Sequence, residues 1–282
     1  MIVQEPLVSV LMTAFNREKY IAQAIESVLA STYKNFELII VDDRSGDNTV
    51  NIARSFAAKD NRIRVYVNEV NLGDYPNRNK AASYAKGKYL KYIDSDDFIY
   101  PRGLELLVGM MEKFPEAGWG LCSLDQNVKR PFPFLLNPDE AYAYHYLGPG
   151  LFNKAPLSSI IKKEIFDNVN GFNPIKMAGD FEMWHRLAQK YPVLLMAYGI
   201  VWYREHDDQE VNTYRKHIKT YESIKIQFLT DKNCPLKPEV VKEIFKLEKI
   251  IIRMAAIKGL LFFDKNRLKD NLYRLRLLSD VH

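Results

Sequence analysis

The chain has 282 residues, of which 47% are hydrophobic and 27% charged. This excludes a disordered polymer and suits one large α/β domain, with or without an appendage. The formal charge is +5, and residues 221–282 hold 13 basic and 8 acidic side chains, so the remainder balances to zero; that is too weak an excess for a nucleic-acid partner.

Residues 7–12 form an apolar run that predicts a buried strand, and Ile21, Ile25, Val28 and Leu29 then recur at helical spacing. Residues 36–41 are a second run that stops at Asp42, followed by a helical stretch with Ile52, Ala53 and Phe56 on one face. Residues 63–67 predict a third strand, 76–85 a helix and 89–93 a fourth strand, and Pro101 opens another helix. Apolar strands alternating with helices imply a parallel sheet covered on both faces. Ligands of such sheets bind beyond the carboxyl ends of the strands. The polar clusters 13–17, 42–47 and 94–97 all fall there.

Residues 120–203 are broken by Pro131, Pro133, Pro138, Pro149 and Pro156, which predicts loops and short strands. After Pro238, Ile244, Leu247, Ile251, Met254, Ile257 and Leu261 repeat at three and four residues. A break at 264–266 precedes a last helix through Leu268, Leu272, Leu275 and Leu278. No uncharged apolar run of about 18 residues offers a membrane span. The acidic residues 1–6 do not read as a secretion signal, which points to the cytoplasm. Cys122 and Cys234 are isolated thiols by spacing.

Asp94-Ser95-Asp96-Asp97 places three carboxylates in four residues directly after an apolar strand. They repel one another unless a cation neutralises them, and hard oxygen ligands suit Mg²⁺ or Mn²⁺. An acidic turn capping the helix near Pro101 is the alternative.

The opening Val8-Ser9-Val10-Leu11-Met12-Thr13-Ala14-Phe15-Asn16-Arg17 and the later Ile39-Ile40-Val41-Asp42-Asp43-Arg44-Ser45-Gly46-Asp47 resemble the first strands of family two glycosyltransferases, which have the GT-A fold. The Asp-x-Asp-Asp segment, Asn71-Leu72-Gly73, Arg78-Asn79 and Ala85-Lys86-Gly87-Lys88-Tyr89 follow that family's course, and the resemblance covers about 215 residues. It implies that Asp43 accepts a hydrogen bond from the nucleotide base, with Thr13, Ala14, Asn16 and Arg17 lining the base pocket and Arg78 on the donor side. It implies further that Asp96 lies near the ribose, that Asp94 and Ser95 orient the cluster, and that Asp97 binds a divalent metal (Mn²⁺ or Mg²⁺), with Asp96 and His206 as further candidate ligands. Residues 176–187 resemble the acceptor-side motif, making Asp180 the catalytic base and Glu182 its rival. Trp202-Tyr203-Arg204-Glu205-His206 resembles the late Tyr-Arg-x-His segment, so Arg204 and His206 face phosphate or metal. Three positions depart from the pattern. Arg44 stands where the family most often has Gly, Gly179 where it usually has an acid, and Tyr75-Pro76 interrupts the segment before Arg78.

The expected architecture is therefore a GT-A-like, Rossmann-like α/β domain over 1–220, with a mostly parallel sheet flanked by helices, and a C-terminal amphipathic helical extension over 221–282. The expected activity is inverting transfer from a nucleotide-sugar, a UDP-sugar first, to a hydroxyl of a glycan or lipid-linked glycan acceptor in polysaccharide assembly. A nucleotidylyltransferase or a dinucleotide enzyme would carry a Gly-rich loop after the first strand, where this chain has Thr13-Ala14-Phe15-Asn16-Arg17. A catalytically inactive sugar-nucleotide or glycan-binding domain is the non-enzymatic alternative, and the joint presence of Asp97 and Asp180 argues against it. The extension carries Ile251, Met254, Leu261, Phe262, Phe263 and Leu268 among cations such as Lys249, Arg253, Lys258, Lys265, Arg267, Lys269, Arg274 and Arg276. Such helices pack on a core, pair with another subunit or lie on an anionic membrane, and peripheral membrane contact is the working expectation.

Overall fold

The computed structural model describes residues 5–206 and 215–279. The chain divides into two compact units, Met1–Pro138 with Phe152–His206, and Asp139–Leu151 with Asp207–His282.

In the first unit β1 (Val8–Ala14), α1 (Ile21–Leu29), β2 (Phe36–Asp42), α2 (Thr49–Ala57), β3 (Ile63–Val67), α3 (Asp74–Ser83) and β4 (Tyr89–Tyr92) alternate as the apolar runs predict. The side chains of β1 and β2 are buried almost throughout, because helices cover both faces of the sheet. In α1, Ile21, Ala24, Ile25 and Val28 make a buried stripe at helical period. Each large aliphatic side chain so buried contributes about 1.5–3 kcal/mol. Gly87 has a packing reason: a Cβ there would lie 2.6 Å from the backbone nitrogen of Ser9, where the turn into β4 passes β1.

The chain continues through β5 (Phe98–Ile99), α4 (Gly103–Lys113), β6 (Trp119–Leu124) and β7 (Phe134–Leu136). After α5 (Pro138–Leu147) come β8 (Ser159–Lys162), α6 (Lys163–Asn168), α7 (Gly179–Lys190), β9 (Val193–Ala197) and β10 (Val201–Trp202). Eight strands form one mixed sheet in the order β3-β2-β1-β4-β8-β6-β9-β7. β3, β2, β1 and β4 run parallel, and β8 is antiparallel to both its neighbours. The chain travels outward from β1 to β3 and then returns to place β4 on the other side of β1. That reversal opens a crevice at the carboxyl ends, which is where such sheets bind ligands. β5 and β10 pair separately and bring the segment after β10 beside the Asp94–Asp97 turn.

The middle of the chain holds more helix than its prolines suggest. Pro138 occupies the first position of α5 and Pro156 that of a short 3-10 turn. A proline there loses no hydrogen bond and starts a helix instead of breaking one.

The second unit contains α5 from Asp139 onward, α8 (Ile218–Thr230), α9 (Pro238–Leu261) and α10 (Lys265–Ser279). Lys225 on α8 pairs with Glu222 and Glu248, and Arg274 on α10 pairs with Glu222. Among the described residues no helix is long and apolar enough to cross a membrane.

Candidate active site

The loops that leave β1 and β2 are tied to each other. Asn16 donates its backbone N–H to Ser45 Oγ at 2.8 Å, and Gly46 returns a bond to Asn16 Oδ1 at 2.9 Å. The backbone N–H of Arg17 bonds Thr49 Oγ1 at 2.8 Å. Asn16 and Arg44 both sit in the left-handed region, at φ 54° and 66°. Glycine adopts that conformation without steric cost, which accounts for the family's usual residue at the position of Arg44. Thr13 and Ala14 end β1 opposite Val41 and Asp42, so the stretch 13–17 rims the crevice. Asp43 is buried, and its carboxylate accepts from the backbone of Leu72 and Gly73 and from Asn68 Nδ2, each at 2.8 Å. It thereby fastens the Asn71-Leu72-Gly73 loop to the end of β2.

The acidic turn after β4 is held from three directions. Arg78, buried on α3, bonds Asp94 Oδ1 at 2.6 Å and Asp74 Oδ1 at 2.8 Å. Asp96 Oδ2 accepts from Arg17 Nε and from His206 Nε2, both at 3.0 Å. Asp97 is buried and accepts from the backbone N–H of Arg204 at 2.9 Å, while Arg204 Nε donates to the carbonyl of Asp96. The Arg204 guanidinium lies about 5 Å from the rings of Tyr20, Phe98 and Trp202, and His206 stacks on Tyr20. Burial, and then the neighbouring Asp94, push the Asp97 carboxyl up to about 8.

This donor set fits a hard divalent cation: the buried Asp97 and the part-exposed Asp94 and Asp96 offer carboxylate oxygens whose mutual repulsion a cation relieves. Among the described residues no three His, Cys, Asp or Glu side chains converge into a preformed cage. Small hard cations commonly complete such a partial shell with water and phosphate oxygens.

Asp180 stands in the first turn of α7 and is half-buried. Its Oδ1 accepts from the backbone N–H of Phe181 at 2.7 Å and from the Tyr75 hydroxyl at 3.1 Å. Burial pushes its carboxyl up to about 6 against both of those bonds. The Tyr75 phenol is itself pushed up by burial and then by Asp180, so it stays protonated and donates. Gly179 explains how Tyr75 reaches this place, since a Cβ at 179 would lie 2.7 Å from the Tyr75 ring. Two of the departures from the family pattern are therefore one feature, a tyrosine occupying space that an acidic side chain at 179 would need. Glu182 is spent elsewhere: Arg186 bonds it through Nε and Nη2, and Asn173 through Nδ2. Phe172 packs against Tyr75, Tyr92 and Trp184, and Trp184 stacks on Trp119 at 5.2 Å, which anchors α7. His185 is buried and lowered to about 3 by desolvation, a neutral ring whose Nδ1–H bonds the carbonyl of Phe181.

α3 brings the two carboxylate centres into one network, with Arg78 on Asp94 and Tyr75 on Asp180. Sequence reading missed the part played by Tyr75, whose only signal is that it and Gly179 both depart from the pattern. It also missed Lys91, fully buried on β4, which donates to the carbonyls of Leu157 and Ser159 and fixes the strand beneath the acidic turn. A concavity of about 590 Å³ is lined by Tyr20, Tyr198, Trp202 and Tyr203 together with Arg204, Glu205 and His206. A smaller hollow of about 250 Å³ runs along 126–132, away from the residues of the acidic turn.

The family model for glycosyl transferase family 2 matches residues 9–169, which include the crevice loops and the acidic turn. A relative from Escherichia coli, UDP-Glc:alpha-D-GlcNAc-diphosphoundecaprenol beta-1,3-glucosyltransferase, is 41% identical over 107 residues, 38% of this chain and 42% of that one. Staphylococcus aureus TarS 1-349, solved in complex with UDP-GlcNAc, superposes with a TM-score of 0.64 at 17% identity, over 97% of this chain and 90% of that chain. A mannosyltransferase from Pyrobaculum calidifontis, solved with GDP-Man and Mn²⁺, superposes with a TM-score of 0.63 at 17% identity, over 99% and 77%. At that identity the likeness of the two structures is one of fold.

Proposed function

The chain belongs to glycosyl transferase family 2, and from that premise we propose that it transfers a sugar from a UDP-sugar to a glycan hydroxyl with inversion at the anomeric carbon. The observation that carries this reading is the α3 network, in which one helix positions the acidic turn through Arg78 and the Asp180 carboxylate through Tyr75. An inverting transfer needs those two functions on either side of the anomeric carbon: anchoring of the diphosphate and a base for the acceptor.

In this reading Asp180 takes the proton of the acceptor hydroxyl as its oxygen forms the new bond to the anomeric carbon. The bond from that carbon to the diphosphate breaks, and its electron pair leaves with the nucleoside diphosphate. Asp180 has the qualities of such a base: its affinity for a proton is raised by burial, and the Tyr75 hydroxyl and the Phe181 N–H fix its orientation. Glu182 is the weaker candidate for the role, because its carboxylate is held in an ion pair with Arg186. Arg17 and Arg204 cluster on the acidic turn and supply positive potential where the diphosphate would lie, with His206 beside them on Asp96. Mn²⁺ or Mg²⁺ held by Asp97, with Asp96 and His206 beside it, would offset charge on the leaving diphosphate. Asp43 and the rim 13–17 belong to the base pocket, with Asp43 also holding that pocket's loop. The aromatic walls of the 590 Å³ concavity suit the faces of sugar rings and are assigned to the acceptor. A lipid-linked glycan is the acceptor class, following the diphosphoundecaprenol-linked substrate in the name of the Escherichia coli relative. The chemistry is assigned to 1–220 and not to the extension.

The test is release of nucleoside diphosphate from a panel of UDP- and GDP-sugars with and without Mn²⁺ or Mg²⁺, together with UDP binding by calorimetry. UDP affinity is expected to rise with metal and to lose that increment in Asp97→Ala. Equal UDP binding by the wild type in the presence and absence of metal would sink the metal assignment. Faster turnover of GDP-sugars would transfer the donor assignment to guanine.

A further inference from the structure

α9 has two apolar faces, and among the described residues only one of them is packed. Ile244, Phe245, Ile252, Ala256 and Gly259 are buried within the second unit. The residues that repeat most regularly in sequence lie on the other side: Leu247, Ile251, Met254, Ile257 and Leu261 are 42–67% exposed. The stripe runs into the turn before α10, where Phe262 is 76% and Phe263 90% exposed. Over the 17 residues from Leu247 to Phe263 such a stripe is about 24 Å long, a continuous patch where an ordinary monomer surface scatters its apolar side chains singly.

The turn is built against the preferences of its residues. Phe263 adopts φ 54° and ends the helix with its N–H on the carbonyl of Leu260, and Asp264 follows with a bond to Gly259. A helix terminus of this left-handed type favours glycine, and a bulky aromatic there is an outlier. A phenylalanine at the most water-exposed point, in a conformation that costs energy, contributes nothing to this unit's packing.

The surrounding charges select the partner. Between residues 249 and 263 the chain has Lys249, Arg253 and Lys258 and no acid. Among the described residues, ion pairs of this unit join Lys225 to Glu222 and Glu248, and Arg274 to Glu222. A second copy docked through this face would set the same cations against themselves. An anionic lipid surface takes both features at once, the apolar stripe entering the acyl boundary and the cations meeting headgroup phosphates. We propose that the exposed stripe of α9 and its Phe262-Phe263 tip form a monotopic docking surface for anionic membranes. This is independent of the transfer chemistry.

Flotation of the full chain with vesicles of phosphatidylcholine, with and without phosphatidylglycerol, tests it at low and high salt. The protein is expected to float with the anionic vesicles at low salt and to lose most of that binding at high salt, because surface attraction is screened. The double variant Phe262→Ser with Phe263→Gly is expected to keep its circular dichroism spectrum and unfolding midpoint while its vesicle partition falls by about tenfold or more. Lys249→Gln with Arg253→Gln and Lys258→Gln, which leaves the stripe intact, is expected to lower partition by about tenfold or more and to remove its salt dependence. Failure of the wild type to float with anionic vesicles at low salt would overturn the proposal, as would equal flotation with neutral ones. Sedimentation velocity supplies a separate check, since a salt-resistant dimer that the double variant converts to monomer assigns the stripe to self-association.

Discussion

The crevice of the first unit and the α9 turn of the second invert each other's use of solvent. At the crevice, polar and charged groups are buried: Asp43, Asn77, Arg78, Lys91, Ser95 and Asp97 are all below a tenth exposed. At the turn, large apolar groups are in water, with Phe262 and Phe263 the most exposed aromatics among the described residues of the second unit. Burying a charge is costly unless it is paired, and exposing an aromatic gains nothing for folding. A residue placed against its solvation preference marks a site whose purpose lies outside the stability of the fold. The two sites differ in what removal does: the buried ion network is bound up with the fold, and the exposed stripe is not.

The largest expected effect comes from breaking the network at its centre. Arg78→Ala leaves Asp74 and Asp94 without their buried partner, and loss of one member of such a pair costs about 3–5 kcal/mol. Urea unfolding measures it, and a loss below about 1 kcal/mol would mean that the network is as dispensable as a surface pair.

Asp180→Asn is next. It is nearly isosteric but cannot take a proton, so transfer is expected to fall about 10²-fold or more with UDP binding close to wild type. Undiminished transfer would move the base elsewhere. The pH profile follows from the same group. Its carboxyl is raised to about 6 and a base acts ionised, so the wild-type rate should fall as pH drops through about 6 and level off above it.

Tyr75→Phe removes one hydroxyl and leaves the ring over Gly179. The lost hydrogen bond stabilised the Asp180 carboxylate, so the acid limb of the rate profile should move to higher pH, with a rate loss of about tenfold or less at neutral pH. An unmoved limb would reduce Tyr75 to a packing residue.

The smallest effect belongs to the other region. Phe263→Gly deletes an aromatic ring and relieves a left-handed backbone, so stability by urea unfolding should stay level or rise by about 1 kcal/mol. A loss of 2 kcal/mol or more would show that the ring is packed, and the contrast between the two regions would collapse.

The sequence by itself determined the strands of the parallel half and where the polar clusters gather. Runs such as 36–41 are apolar on both faces, a pattern satisfied by a sheet covered on both sides, and the polar residues that end each run then fall at the carboxyl edge. Local chemistry marked Asp94, Asp96, Asp97 and Asp180, because carboxylates beside a strand end or in a helix's first turn stand out without any partner. Only the tertiary structure decided what those groups touch. The resemblance puts Arg78 on the donor side, and the fold adds what it touches there, Asp74 and Asp94. Glu182 is withdrawn by Arg186, a neighbour at helical spacing whose bond depends on rotamers that sequence does not give. Tyr75 and Gly179 are separated by more than a hundred residues, so their fit exists only once α3 and α7 are side by side. The same limit explains α9, where apolar residues line both sides of the helix. Periodicity reports that a face is apolar, and it cannot report which face finds a neighbour, because burial is a property of the assembled chain.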